Sequence, residues 1–596
     1  MTGRDPDLLA AVEAWAATDV DLDDATLTLA TAHGHGEALE SLRDAWTGPL
    51  QFGTAGLRGA MGPGPNRMNR SVVVRAAAGL GAYLLDRVGT GVRPPLVVVG
   101  HDARHRSAAF ATDSAAVLVA AGCRVVLLSA PLPTPVLAHA VRRLGADAGV
   151  MVTASHNPKD DNGYKVYLGG RVSPGPGDGV QIVPPADRDI AARIAAAPAP
   201  VDVPRAGEGW EVADASLVDG YVAAVVGLLP PGPRELRVVT TAMHGVGQAV
   251  LGRVLAEAGV SDVTPVPEQA EPDPDFPTVP FPNPEEAGAL DLALTLAART
   301  GAELVVAVDP DADRCSIAVA DPARGPADEA SSWRQLSGDE VGALLVEHVL
   351  TRDPAPVSCE DDEPPTVACS LVSGSLLHRI AAAHGVRSAA TLTGFKWIAR
   401  VPGLVMGYEE AIGYCVAPSV VRDKDGISTA LLLVELAAAA RARGESLLDR
   451  LDALALAHGV HLTAPVTLRV DDMSVVWPVL ARLVASPPTD LAGTPVTAVE
   501  DLAAGVDGLP ATTGVRLTAG PGASSTADPA ADVTPVVTAG VTAATARVVV
   551  RPSGTEPKLK AYLEVVEPAG DDLAQARAAA AGRMGRLQEQ VSMLLG

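Results

Sequence analysis

Thr153-Ala154-Ser155-His156-Asn157-Pro158 sets a hydroxyl at the tip of a tight loop, and Lys165 brings a cation ten positions after the serine. The apolar run 148–152 before it reads as a buried strand, and the Asn-Pro and Asn-Gly pairs after it call for a turn. A loop serine commonly does no more than satisfy turn hydrogen bonds, so Ser155 alone carries little. Three further polar stretches give it company. Asp309-Pro310-Asp311-Ala312-Asp313-Arg314 follows the apolar run 304–308. Carboxylates at i, i+2 and i+4 of a turn can converge on one hard cation, Mg2+ or Ca2+. Without a cation they repel and raise one another's pKa; the alternative is a solvated acidic turn with Asp309 as a helix cap. The glycine and distal glutamate of an EF-hand loop are missing.

Gly407-Tyr408-Glu409-Glu410-Ala411-Ile412-Gly413-Tyr414 follows the apolar run 404–406. Paired carboxylates at a strand end can accept hydrogen bonds from neighbouring sugar hydroxyls or do acid/base work. They also suit a helix N-terminus, whose dipole favours acids. Lys396, and Arg422-Asp423-Lys424-Asp425-Gly426, add cations nearby in the chain. Arg551-Pro552-Ser553-Gly554-Thr555-Glu556-Pro557-Lys558 offers an arginine fork and two hydroxyls to phosphate oxygens. A hairpin turn can contain those residues, but it has no need of all three. Finally, the stretch 51–64 carries five glycines with Arg58, and Arg67 follows, a composition suited to a loop whose amides approach an anion.

The elements that must position these groups alternate regularly. Strand 96–100, helix 107–121, strand 124–128, a helix after Pro133 and strand 148–152 form one round. A second runs from strand 236–240 through helices 247–258 and 287–300 to strand 304–308, and a third from helix 338–350 through strand 366–371, helix 374–384 and strand 388–392 to strand 404–406. Continuously apolar strands between helices predict mixed, largely parallel sheets buried on both faces, with ligands beyond the carboxyl ends of the strands. From residue 461 the pattern changes to strands 466–470, 515–518, 546–550 and 558–565 with two helices, the last at 571–594, which predicts a small antiparallel α+β domain. The fold class is α/β: three serial α/β units and a C-terminal α+β domain. The expected boundaries are a helical lead-in 1–50, then domains 51–210, 211–322, 323–460 and 461–596. Residues 171–210 have linker composition, and 353–365 and 519–545 read as exposed excursions.

At 596 residues the chain exceeds one core, and 48% hydrophobic against 20% charged residues excludes general disorder. A net charge of −25 disfavours nucleic acid and anionic membranes as partners, so any phosphate must be met by cations gathered locally. Five cysteines without metal spacing fit buried thiols in a reducing cytoplasm, and neither a signal pattern nor a spanning apolar run is present in the sequence.

Taken together, TASHNP, DPDADR, the Glu-Glu loop and RPSGT, in that order from about 52 to 565, resemble the α-D-phosphohexomutases. The branch most similar is that of phosphoglucomutase and phosphopentomutase, through Phe52-Gly53-Thr54-Ala55-Gly56-Leu57-Arg58, the segment 271–278 and Leu392-Thr393-Gly394-Phe395-Lys396-Trp397. The resemblance implies four domains in a heart shape around a central cleft. It makes Ser155 a phosphoserine and Asp309, Asp311 and Asp313, with the serine, the holders of Mg2+. Lys165 and Lys396 match positions for proton transfer or phosphate handling, Arg58 and Arg314 match basic site residues, and His156 is counted with the catalytic group. Gly407, Glu409, Glu410 and Lys424 fall to sugar binding, and Arg551, Ser553, Gly554 and Thr555 to a phosphate clamp. The implied activity is a mutase acting on small sugar phosphates through a sugar 1,6-bisphosphate, in a monomer or dimer. Glucose, with mannose beside it, is the expected sugar, and pentose phosphate the competitor. Departures from the family pattern are the 519–545 insertion, the 321–336 loop and Gly554 where other branches carry asparagine.

Overall fold

The computed structural model describes residues 6–33, 42–53, 56–89, 91, 93–232, 234–352, 363–470, 472–521, 541–552 and 558–596. They form two compact units, Met1–Gln335 with Gly413–Glu435, and Leu336–Ile412 with Leu436–Gly596.

The first unit holds two sheets. One runs in the order Leu57–Ala60, Asp161–Leu168, Ala148–Val152, Leu96–His101, Arg124–Leu127, Glu211–Val212. Its last four strands are mutually parallel; Asp161–Leu168 and Leu57–Ala60 are antiparallel additions. All five residues of Ala148–Val152 are buried, as the apolar run demands. Fully burying one such valine contributes roughly 1.5–3 kcal/mol. The second sheet orders Trp333–Gln335, Cys315–Ala320, Leu304–Val308, Arg234–Thr241, Val260–Pro265, with the last three parallel and Leu304–Val308 again buried throughout. Both all-apolar strands therefore end where the polar signatures begin.

In the second unit Arg387–Thr391, Thr366–Ser370 and Leu404–Glu409 lie parallel, with Thr366–Ser370 central. The antiparallel sheet Val460–Arg469, Lys558–Glu567, Thr545–Pro552, Val515–Ala519, Thr494–Asp501, Asp490–Leu491 packs against helices Val476–Ala485 and Leu573–Leu595 through a common apolar core. Among the described residues no helix is long and apolar enough to cross a membrane.

Three sequence readings are corrected here. The Asn162-Gly163 pair was expected in a turn and lies instead in Asp161–Leu168, the second strand of the first sheet, hydrogen-bonded on both edges. Its Asn-Gly pair serves the sheet. The Asn162 amide is buried and donates to the His105 carbonyl and Ser107 Oγ, at 3.0 Å each. A Cβ at Gly163 would lie 2.5 Å from the Thr153 carbonyl oxygen, so only glycine fits beside the serine loop. The glycine-rich stretch is likewise only partly loop, since Leu57–Ala60 pairs with that strand. Residues 171–210 contain helix Ala186–Ala196, whose Ile190 joins the core of the first sheet. Non-local burial overrides the linker composition. Of the excursions, 353–362 and 522–540 lie outside the described residues.

Candidate active site

Ser155 sits three residues beyond Ala148–Val152 with a left-handed backbone, φ 55°. An L-residue there is sterically costly and needs support. Part of it comes from Thr153 Oγ1, which accepts the Ser155 amide at 2.9 Å. The serine is buried, and its Oγ donates to Asp309 Oδ2 at 2.6 Å and lies 3.2 Å from His156 Nδ1. Asp309 is the first residue after Leu304–Val308, so two strand ends bring hydroxyl and carboxylate together.

Asp309, Asp311 and Asp313 are all buried, and one oxygen from each lies within 4.8 Å of the others. The helix-cap alternative fails. Asp309 Oδ1 accepts the Arg314 amide at 3.0 Å, and strand Cys315–Ala320 follows at once. Lys165 Nζ lies 2.7 Å from Asp311 Oδ2 and from Asp313 Oδ2, and Lys424 Nζ 3.1 Å from the latter. Thr134, buried, donates its hydroxyl to Asp311 Oδ2 at 2.7 Å. Asp311 Oδ1 and Asp313 Oδ1 are buried without a hydrogen-bond partner among the described residues. Buried carboxylate oxygens without a hydrogen bond are costly unless a cation meets them, and an all-oxygen set suits a hard divalent ion. These residues fit such an ion.

Charge orders the titrations. Burial, then Asp311 and Asp313, push Asp309 well above the usual carboxylate range. Burial acts the same way on Asp313, but Lys165, Lys424 and Arg314 outweigh it and hold that group low; Lys165 does so for Asp311. Burial and the Arg314 and Arg58 cations hold His156 well below the usual imidazole value. Arg58, half-buried, donates to Asn157 Oδ1 at 3.1 Å, and Arg314 Nε lies 3.8 Å from Asp313 Oδ1. Thus Arg58, Ser155, His156, Lys165, Asp309, Asp311, Asp313 and Arg314 form one cluster in the first unit. Lys424, read from sequence with the sugar-binding residues, joins them against Asp313, and its neighbour Asp423 accepts the Tyr167 hydroxyl at 2.7 Å.

The second unit holds the rest. Glu409 ends its strand and Glu410 begins a tight turn in which Ile412 has φ 52°, so no helix starts there. Glu410 Oε2 accepts Ser373 Oγ at 2.9 Å and Ser370 Oγ at 3.0 Å. Gly407 is buried in the strand, and a Cβ there would meet the Ile398 side chain at 2.4 Å. Lys396 is half-buried in the short helix Phe395–Ile398. Arg551, at the end of Thr545–Pro552, donates Nη1 to Thr393 Oγ1. Ser553, Gly554 and Thr555 lie outside the described residues.

Sequence reasoning missed Thr134 and Arg104. Arg104 follows a buried strand by three residues, the same signal that marked the other loops, and Thr134 opens a helix after a proline.

Four family models match in order: "Phosphoglucomutase/phosphomannomutase, alpha/beta/alpha domain I" over residues 49–199, domain II over 219–324, domain III over 337–455, and the C-terminal domain over 515–581. A "Probable phosphomannomutase" of Haemophilus influenzae is 40% identical over 501 residues, 83% of this chain and 93% of that one. A "Probable phosphoribomutase" of Schizosaccharomyces pombe is 33% identical over 94% of each chain. The crystal structure of a phosphoglucomutase/phosphomannomutase family protein from Burkholderia thailandensis shares the fold, with TM-score 0.61 at 21% identity over 89% of this chain and 97% of that one. With all four family domains present in order and relatives of this identity aligned along most of its length, the chain belongs to the α-D-phosphohexomutase superfamily of phospho-sugar mutases.

Proposed function

We propose that the chain interconverts hexose 1-phosphate and hexose 6-phosphate, glucose and also mannose, through a phosphorylated Ser155 and a sugar 1,6-bisphosphate. The observation that carries this reading is the buried Ser155 Oγ held 2.6 Å from Asp309 within the three-aspartate cluster. The sugar hydroxyl oxygen attacks the phosphorus of phospho-Ser155. The bond from phosphorus to Oγ breaks, and the hydroxyl proton passes through the site to the departing Oγ, with Lys165 and Lys396 the residues assigned to proton or phosphate handling. After the bisphosphate reorients, Ser155 Oγ takes the other phosphoryl group and the isomer leaves.

Phosphoryl transfer is mostly positioning and charge stabilisation. Asp309, Asp311 and Asp313 would hold Mg2+, which supplies charge neutralisation on the transferring group. Arg58 and Arg314 place two guanidinium groups beside the serine loop, suited to phosphate oxygens. Lys165 and Lys424 hold Asp311 and Asp313 in place. In the second unit, Glu409 and Glu410 offer acceptors to adjacent sugar hydroxyls, and Arg551 with Ser553, Gly554 and Thr555 clamps the non-reacting phosphate. The four cysteines among the described residues are free and buried, which supports a reducing, cytoplasmic setting.

A second reading, a phosphopentomutase, is favoured by the phosphoribomutase relative that aligns over 94% of both chains. Glucose 1-phosphate, mannose 1-phosphate and ribose 1-phosphate assayed in parallel, each with a trace of its bisphosphate, decide between them. Ribose 1-phosphate turned over far more efficiently than either hexose overturns the sugar assignment and leaves the mechanism standing.

A further inference from the structure

Arg104 makes an arrangement that the cluster above does not explain. Its side chain is 1% exposed. Nη2 donates to the carbonyl oxygens of Ser155 at 2.6 Å and Asn157 at 2.7 Å, and Nη1 to those of Pro158 at 2.7 Å and Asp161 at 3.2 Å. Three carbonyls of the loop between Ala148–Val152 and Asp161–Leu168, and that of the second strand's first residue, thus converge on one guanidinium. The guanidinium is itself fixed. Asp102 Oδ2 lies 3.3 Å from Nε, and Asp102 Oδ1 accepts Ser107 Oγ at 2.7 Å and the Arg104 amide at 3.0 Å. The Phe276 ring lies 5.1 Å from the guanidinium carbon. Helix Ser107–Ala120 starts immediately beyond, so the whole assembly is tied to the first sheet and its helix layer.

Hydrogen bonds to the carbonyl of the left-handed Ser155 itself and to those of Asn157, Pro158 and Asp161 after it leave that residue few alternative backbone conformations. A planar fork can satisfy four carbonyls at once; an ammonium presents a point charge on a flexible stem and cannot reproduce that geometry. We propose that Arg104, anchored by Asp102, is a positioning residue that sets where Ser155 Oγ meets Asp309 and the incoming phosphoryl group. The inference rests on the reading of Ser155 as the phosphoryl carrier. Arg104 itself touches backbone, so its loss acts on the reacting geometry and leaves sugar-phosphate recognition intact.

Arg104→Gln, Arg104→Lys and Arg104→Ala test it on the full chain. The expected result is a fall in kcat of about 100-fold for Arg104→Gln, the scale of a 1 Å misplacement, with KM for the sugar monophosphate within about threefold of wild type. Arg104→Lys falls nearly as far although it keeps the charge, and guanidinium chloride at low concentration restores part of the Arg104→Ala rate without restoring Ser155→Ala. Hydrogen exchange of the amides at 155–161 rises in Arg104→Gln before any substrate is added. Wild-type exchange across that loop, or a kcat near wild type in Arg104→Gln, overturns the inference. A wild-type protein that accepts no phosphate on Ser155 from the bisphosphate instead overturns the phosphoserine reading, and the exchange measurement still judges whether Arg104 orders the loop.

Discussion

Replacing Lys165 with methionine removes a charge while keeping much of the side chain's length. In the structure its ammonium lies 2.7 Å from one oxygen each of Asp311 and Asp313, all three groups buried. Deleting one partner of a buried ion pair typically costs about 3–5 kcal/mol, because the other charge is left uncompensated. Lys424 at 3.1 Å from Asp313 remains, whereas the Asp311 carboxylate, among the described residues, keeps the Thr134 hydroxyl as its side-chain hydrogen-bond donor, so the loss falls mainly on Asp311. The first unit contains about 360 residues. At about 2.1 cal/mol/K of unfolding entropy per residue, that cost lowers its melting temperature by about 4–7 °C. Calorimetry in a chelator should show this drop. Saturating Mg2+ should recover part of it, since a cation among the same carboxylates takes over their charge balance and stabilises by mass action. Equal losses with and without the cation, or none in the chelator, would refute the assignment of Lys165 as the counter-charge that holds this cluster together.

Other perturbations separate the parts of the site. Thr134→Val removes the hydroxyl on Asp311 Oδ2 and should cost about 1–3 kcal/mol, with a smaller Mg2+-induced rise in melting temperature than wild type; an unchanged rise argues against Thr134 as a support for the cation site. Arg551→Ala should lower kcat/KM about 10- to 100-fold, the scale of a charge-assisted hydrogen bond, and a change confined to thermal stability would favour the plain hairpin reading. Burial and then Glu410 push Asp339 up to about 6, while its Oδ1 accepts the Gly374 amide at 2.6 Å. An acid raised in the fold favours the folded state at low pH. That contribution, up to about 3 kcal/mol, is lost as pH rises from about 4 through about 6. Asp339→Asn keeps the acceptor and removes the titration, so the second unit's unfolding should lose less stability between pH 4 and 7; a slope equal to wild type contradicts the shift.

The sequence revealed the parts of the site that depend on local chemistry. Five consecutive buried residues in Ala148–Val152 and in Leu304–Val308 are visible as apolar runs, and whatever follows such a run lands at the strand's carboxyl end. Ser155 and the three aspartates were therefore legible, and so was the parallel core of each α/β unit. Asp161–Leu168 was not. Its Asp-Asn-Gly start carries turn chemistry, and only pairing with Leu57–Ala60 and Ala148–Val152, distant in the chain, makes it a strand. Thr134, and the place of Lys424 beside Asp313, escaped for the same reason. Each reaches the aspartates across 177 or 111 positions, a meeting no local pattern encodes.

The central claim is that phosphate passes between Ser155 and the sugar and is never given to water. Protein carrying labelled phosphate on Ser155, mixed with one equivalent of unlabelled glucose 1-phosphate and Mg2+, measures this in a single turnover. The expected result is label leaving Ser155 and appearing in glucose bisphosphate, with Ser155→Ala taking up no label and losing nearly all turnover. Label released as inorganic phosphate, or a Ser155→Ala protein that interconverts the sugar phosphates at the wild-type rate, would contradict the account.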